Sequence, residues 1–358
     1  GVNPVASIIG LDIVPNFPAP DSHTPPTEHE RLTQVVENAQ LFEELGFDGY
    51  SVGERHHAPF LSSAPPVILS HIAARTTSLR LFTGVTLLSV LDPVRVAEDY
   101  ATLDHLAGGR LELIVGKGNG PEQSELFGIS REHAWATQRE NYELLRALWS
   151  EEPVTWEPDP NAPSIRRTPL RDAVTYPRPF QRRIPTWHGS STSTKTVELA
   201  ARHGDPIWVA NRQKTVEGYR PLVEHYRRAW AEAGRDPADA RVGAGFSVLL
   251  TETQEEAEEI FRPIYEEHFA GQVDTFNNFD PDTLFHSFED YIERSSFLIG
   301  TPEKALQKLR RYHDAYGFSA ISIDGHQGHY PRDTWLRSLE LFRDEVAPEL
   351  ERFAPAGR

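Results

Sequence analysis

The 358-residue chain has no cysteine, which excludes disulfides, thiolate nucleophiles and Cys-ligated metals. It has no methionine either, and nothing in the composition accounts for that. Positive charge is scarce: 36 Lys and Arg stand against 53 Asp and Glu, a net charge of -17, and no basic run occurs anywhere. This balance argues against nucleic acid and anionic membrane surfaces as partners. Long apolar runs are missing as well. The apolar stretch at residues 5–10 is short, lacks basic flanks and is soon followed by Asp12, which suits neither a signal peptide nor a membrane span. The expectation is a cytoplasmic, soluble protein, in one large domain over residues 1–358 with insertions.

What the chain does have is alternation. Short apolar runs that suit buried strands fall at residues 7–14, 47–52, 79–88, 111–115, 184–189, 206–210, 241–250 and 318–324. Amphipathic stretches at helical spacing separate them, for example residues 29–45, 93–106, 131–149, 215–233 and 303–316. Thr301 followed by Pro302 reads as an N-cap with proline at the first helical position. Six such units would suit a doubly wound sheet, whereas eight predict an α/β fold closed as a (β/α)8 TIM barrel, with its site on the loops after the strands. Two segments interrupt the order. Residues 151–183, after strand four, are polar and Pro-rich and read as an inserted loop or small hairpin. Residues 271–297, after strand seven, are rich in Phe, Asp and Asn and too long for an ordinary connection; they read as a lid.

The loops after the strands carry the candidate chemistry. Strand four ends in Gly116-Lys117-Gly118-Asn119-Gly120, a turn that leaves backbone amides open beside one cation and suits a phosphate. The loop after strand five runs from Gly189 through Ser190, Ser191 and Ser193 into a helix N-terminus, a stronger anion site because hydroxyls and amides meet a positive helix end. Ser193 can cap that helix at the same time. After strand two comes Glu54-Arg55-His56-His57, an acid–base pair or two metal ligands. Neighbouring side chains on extended backbone point opposite ways, so at most one of the two histidines faces the pocket. Asp324, His326 and His329, with His188 facing them across the barrel mouth, resemble a metal cluster. Zinc-dependent barrel hydrolases need a His-x-His pair on strand one, where this chain has Gly10-Leu11-Asp12, so no metal site is expected. Trp187 and Trp208 end neighbouring strands and are candidates for an apolar substrate wall, with Trp208 better read as barrel packing.

Taken together and in order, these segments resemble a known family. The match runs through Leu45-Gly46-Phe47-Asp48-Gly49, Gly53-Glu54-Arg55-His56-His57, Asp92-Pro93-Val94-Arg95, Gly108-Gly109-Arg110 and Gly116-Lys117-Gly118, then resumes at Glu198-Leu199-Ala200-Ala201-Arg202-His203-Gly204-Asp205 and Ile299-Gly300-Thr301-Pro302-Glu303. It resembles the bacterial luciferase-like flavin-dependent monooxygenases, and Gly-Lys-Gly-Asn-Gly is similar to a subgroup of FMN-dependent members. The resemblance implies a TIM barrel that binds FMN at its C-terminal face. It assigns the phosphate to Lys117, flanked by Gly116 and Gly118, and to the loop of Gly189, Ser190, Ser191 and Ser193. It casts His56 or His57, beside Glu54, in the acid–base role near the flavin ring. The family usually reads Glu-His-His there; this run is one residue longer, and Arg55 could also face the flavin. It further implies a β-bulge with a cis peptide between Gly84 and Val85, supporting one face of the ring.

The implied activity is oxygenation of a small organic substrate by reduced FMN, used as co-substrate, and O2. A separate flavin reductase and a homodimeric assembly are implied with it. Three rivals stand beside this reading: a deazaflavin-dependent dehydrogenase on the same fold, a metal-dependent barrel hydrolase, and a flavin-holding protein without catalysis.

Overall fold

The computed structural model describes residues 7–18, 22–118, 120–190, 193–212, 214–270, 285–324 and 329–353. The barrel begins with β1 (Ser7–Asp12), β2 (Gly49–Val52), β3 (Arg80–Thr83), its continuation β4 (Thr86–Leu87), and β5 (Leu111–Gly116). An antiparallel hairpin of β6 (Val154–Trp156) and β7 (Leu170–Ala173) stands outside it. The barrel resumes with β8 (Thr186–Ser190), β9 (Ile207–Val209) and β10 (Val242–Gly245). A parallel pair, β11 (Ser247–Leu250) and β12 (Phe297–Gly300), forms a separate small sheet before β13 (Ala320–Asp324) completes the ring. All barrel pairings are parallel, β1 lies between β2 and β13, and both β3 and β4 pair with β5, which closes eight strand positions on themselves.

The helices are α1 (Glu28–Glu44), α2 (Pro65–Arg75), α3 (Pro93–Leu106), α4 (Glu122–Phe127), α5 (Ala134–Leu148), α6 (Thr194–His203), α7 (Val216–Glu232), α8 (Gln254–His268), α9 (Phe288–Arg294), α10 (Pro302–Tyr316), α11 (Arg332–Leu341) and α12 (Ala347–Leu350). Thr27, Asp92, Ser193, Thr253 and Thr301 each accept a first-turn backbone N–H at the start of their helix, satisfying donors that have no partner within it. No helix among the described residues is long and apolar enough to cross a membrane.

The core has two layers. Between strands and helices, side chains such as Phe42, Tyr50, Trp335 and Phe342 form the main cluster. Inside the barrel, Ile9, Phe82, Ile114, Trp187, Trp208 and Ala320 form a second. Trp187 donates its indole N–H to Glu112 at 2.9 Å and lies under the Arg241 guanidinium, while Arg80 donates to the same carboxylate at 2.6 Å. These four residues seal the N-terminal end of the barrel. Toward the other end the inward positions shrink with the period of two that strands impose: Phe82 gives way to Gly84, Ile114 to Gly116, and Trp187 to Gly189. The barrel is therefore packed at the bottom and hollow at the top.

Most of the expected strands are trimmed or shifted by one to three residues, and two of them are each split in two. The run at 79–88 is two strands, because the ladder breaks at Gly84–Val85, whose peptide bond is cis, as expected there. The run at 241–250 is also two strands. After Gly245 the chain leaves the barrel, Phe246 packs edge-on against Tyr312 and Phe318, and the second half pairs with β12. A continuous apolar run conceals this switch of sheets, since every position is buried either way. The expected lid at 271–297 consequently overran into β12. Its residues 271–284 lie outside the described residues, and the remainder forms α9 and the approach to β12. The hairpin of β6 and β7 occupies the first insertion.

Candidate active site

The hollow top of the barrel is a cavity of about 200 Å³. Its floor is nearly bare backbone. Gly84, at the break between β3 and β4, joins Gly116, Gly189 and Gly245 from three other strands, and the Val85 side chain fills the angle between Gly116 and Gly189, about 3 Å from where either Cβ would lie. A Cβ on Gly84 would fall 2.3 Å from the Ser51 hydroxyl, so this strand approaches β2 as only glycine can. Ser51 is buried, lines the cavity, and its hydroxyl has no hydrogen-bond partner among the described residues. An orphaned donor over a flat floor is what a planar heterocycle with polar edge atoms would satisfy.

One end of the cavity is cationic. Lys117 follows β5, half-buried, and burial with the nearby charge of Lys195 lowers its pKa. Lys195 stands in the first turn of α6, its ammonium 5.0 Å from the Trp135 ring. Ser193 caps α6, accepting the Thr196 N–H at 3.3 Å, and Ser193 and Thr196 both line the cavity beside Lys117 and Gly118. The Lys117 ammonium and a helix N-terminus, with the Lys195 charge felt from outside the cavity, fit a phosphate. Capping and cavity lining thus coincide at Ser193. Ser191 lies outside the described residues, and Ser190 is described by its backbone alone, as the last residue of β8.

The cavity opens past Ile13, Arg55 and Arg212 into an outer chamber of about 600 Å³. His57 lines the chamber, and its Nδ1 is buried without a partner among the described residues. His56 turns the other way, as alternation along extended backbone requires. Its Nε2 lies 2.8 Å from the Glu54 carboxylate, and its ring stands edge-on to Phe127. Neither His56 nor Glu54 lines either cavity. Burial raises the Glu54 pKa against the opposing pull of its contact with His56. The extra residue in this loop, Arg55, is the one that reaches both spaces.

The remaining expected groups separate. His188 does not face the barrel mouth: its ring is buried behind β8, with Nε2 2.9 Å from the Asp205 carboxylate. No three His, Cys, Asp or Glu among the described residues are grouped to hold a metal ion, and His326 lies outside the described residues. The two tryptophans exchange roles, because Trp208 lines the inner cavity whereas Trp187 belongs to the sealed bottom. Sequence reasoning passed over Ser51, Lys195, Thr196 and Arg212. Only the Lys195 position, in a first helical turn next to an anion loop, carried a usable signal.

The sequence and the fold match known proteins. The family model for luciferase-like monooxygenases covers residues 13–318. The chain belongs to the luciferase-like monooxygenase family. Membership places it among flavin-dependent monooxygenases. Limonene 1,2-monooxygenase of Rhodococcus erythropolis is 26% identical over 324 residues, spanning 88% of this chain and 81% of that protein. The oxygenating constituent of 3,6-diketocamphane monooxygenase from Pseudomonas putida, solved in complex with FMN, superposes with a TM-score of 0.77 at 17% identity, covering 99% of this chain and 100% of that one. An F420-dependent secondary alcohol dehydrogenase, solved with an F420-acetone adduct, superposes with a TM-score of 0.72 at 17% identity, covering 96% and 99%.

At the rim of the outer chamber Asp324 ends β13. Burial pushes its pKa up to about 6, against Arg212 nearby and hydrogen bonds from Ser247 and the Val248 N–H. A carboxyl whose folded pKa lies above its unfolded value of about 3.9 binds more protons when folded, so it erodes stability as pH rises from about 4 through 6. Asp324→Asn should therefore stabilise the cofactor-free family member by about 1–3 kcal/mol at pH 8 and leave it unchanged at pH 4. Urea unfolding at the two pH values reads the difference, and an equal gain at both would remove Asp324 from the pH dependence.

Proposed function

We propose that this chain uses reduced FMN and O2 to oxygenate a small organic substrate, with the flavin in the inner cavity and the substrate in the outer chamber. The observation that carries the reading is the inner cavity itself, flat-floored, cationic at one end and open at the other to a separate chamber. The phosphate would rest against Lys117, Lys195 and the start of α6. The ring would lie over Gly84, Val85, Gly116 and Gly189, with Ser51 meeting a polar edge. When bound, the reduced flavin supplies the electrons that activate oxygen, and the chain's own residues do the rest.

Three tasks fall to those residues. The glycine floor and Val85 orient the ring and exclude water from one face, which an oxygen-activating site requires. His57, at the chamber wall with a ring nitrogen that has no partner among the described residues, is the group placed to give or take a proton. Glu54 and His56 hold the same loop from behind and are positioning residues. The reduced cofactor comes from a separate flavin reductase, and the working assembly is a homodimer.

Titration of the full chain with oxidised FMN, anaerobically reduced FMN and the deazaflavin F420, followed by absorbance, tests the cofactor. Reduced FMN is expected to bind more tightly than the deazaflavin. The second reading, hydride transfer with a deazaflavin, rests on the structural similarity to the F420-dependent dehydrogenase; tighter deazaflavin binding would favour it. A metal-dependent hydrolase or a passive flavin carrier predicts, respectively, no flavin binding at all or no oxygen consumption beyond that of free reduced FMN.

A further inference from the structure

The outer chamber has two unlike walls. One is aromatic: the Tyr291 ring lies 6.2 Å from Phe261 at 18° and 6.0 Å from Phe269 at 25°, giving near-parallel faces that line the space. This wall is fastened in place. Lys308, buried on α10, donates to the carbonyls of Ile292 and Phe297 at 2.6 Å each, pinning the segment that carries Tyr291.

The other wall is cationic. Arg55 and Arg212 meet at the junction with the inner cavity, and burial together with the Arg212 charge lowers the Arg55 pKa. Among the described residues neither guanidinium forms an ion pair. Arg55 reaches the Glu54 carbonyl at 3.4 Å, and Arg212 donates to the Ser247 hydroxyl at 3.3 Å. Arg212 is held there by its neighbour. Asn211 adopts φ 64°, with its side-chain N–H donating to the Gly245 carbonyl and its Oδ1 accepting from the Tyr316 hydroxyl, both at 2.9 Å. A left-handed asparagine locked on both sides aims the next side chain inward. Glu122 and Asp324 also line the chamber, and Arg131 adds a third cation.

Two guanidiniums that form no ion pair among the described residues, with the Glu122 charge acting on Arg55 and Asp324 facing Arg212 only at longer range, still favour an anion in a partly desolvated space, and planar guanidinium suits an oxyanion in particular. We infer that the chamber takes a planar aromatic substrate bearing an anionic oxygen, a carboxylate or a phenolate, with its ring on the Phe261–Tyr291 wall and its oxygen between Arg55 and Arg212. This rests on the assignment of the outer chamber to the substrate. It sets this chain apart from a family member whose substrate is an uncharged hydrocarbon.

The test uses 2-naphthoate and its neutral isostere 2-naphthamide, titrated calorimetrically into the full chain with and without FMN. Wild type should bind the naphthoate about tenfold to a hundredfold more tightly than the amide. Arg212→Gln should erase most of that preference while leaving the amide within a factor of about three, and Arg55→Gln should act in the same direction. Tyr291→Ala should weaken both ligands alike. Equal binding of the two probes by wild type overturns the inference. So does an Arg212→Gln variant that loses FMN affinity but keeps the preference, which would give the arginines to the flavin. If naphthoate is preferred while neither oxidised nor reduced FMN binds, the substrate class stands and the flavin reading falls. If FMN binds and the preference is absent, the reverse holds.

Discussion

Lys117→Ala should weaken FMN binding by about tenfold to a hundredfold and riboflavin binding much less. The size follows from the loss of one charge-assisted contact, roughly 1.5–3 kcal/mol. Lys117 is half-buried on the turn after β5, and its charge is disfavoured there by burial and by Lys195. A phosphate dianion reverses both penalties. The loss should stop short of abolishing binding, since Lys195, Thr196 and the amides at the start of α6 remain. Lys195→Ala should cost less, because that side chain is exposed and rests on Trp135. Fluorescence titrations of both flavins with both variants decide the matter. Equal losses for FMN and riboflavin would take Lys117 away from the phosphate.

The cationic end of the inner cavity was legible because its physics is local. A glycine turn with one lysine, and hydroxyls running into a helix start, are each written in a few consecutive residues. The eight-fold alternation was legible for the same reason, since each strand and each cap is a short-range signal. The cavity floor was legible only in part. Gly84, Gly116 and Gly189 stand out singly, but Gly245 and Ser51 become floor only when the barrel register brings four strands level. The His56–His57 pair shows the limit from another side. Alternation says that the two diverge, yet which of them enters the chamber depends on how the loop after β2 is anchored. Arg212 left no trace in the sequence, because its placement comes from Asn211, locked between Gly245 and Tyr316 from distant elements. The break after Gly245 was invisible too, as both halves of that run are buried, in different sheets.

Asp205→Ala should cost the fold about 3–5 kcal/mol, the toll of removing one partner from a buried charged cluster. Asp205 sits between α6 and β9, and its carboxylate is almost wholly buried. It accepts from the His188 ring at 2.9 Å, from the Tyr142 hydroxyl, and from Arg183 at 2.6 Å, with Arg146 at 3.4 Å. Its backbone carbonyl accepts the Tyr226 hydroxyl at 2.7 Å. One side chain therefore ties β8 to α5, and its backbone adds α7. Alanine would leave His188 and Tyr142 buried without their acceptor, which is the expensive half of breaking such a pair. Burial pushes the Asp205 pKa up, but the hydrogen bonds from His188 and Tyr142 and the charge of Arg146 outweigh it and hold the pKa below the usual carboxylate value. A depressed folded pKa contributes stability that is present above the unfolded value of about 3.9 and is lost as pH falls through the lower folded one. The gap between wild type and Asp205→Ala in urea unfolding should thus be constant from pH 8 to pH 5 and narrow only below about pH 4. The same change should reach the site. His188 immediately precedes Gly189, so loosening its anchor loosens the strand end that feeds the Ser193 cap, and FMN affinity should fall with stability. An Asp205→Ala protein that unfolds within about 1 kcal/mol of wild type would make the cluster dispensable. One that is destabilised yet binds FMN unchanged would separate the cluster from the phosphate loop.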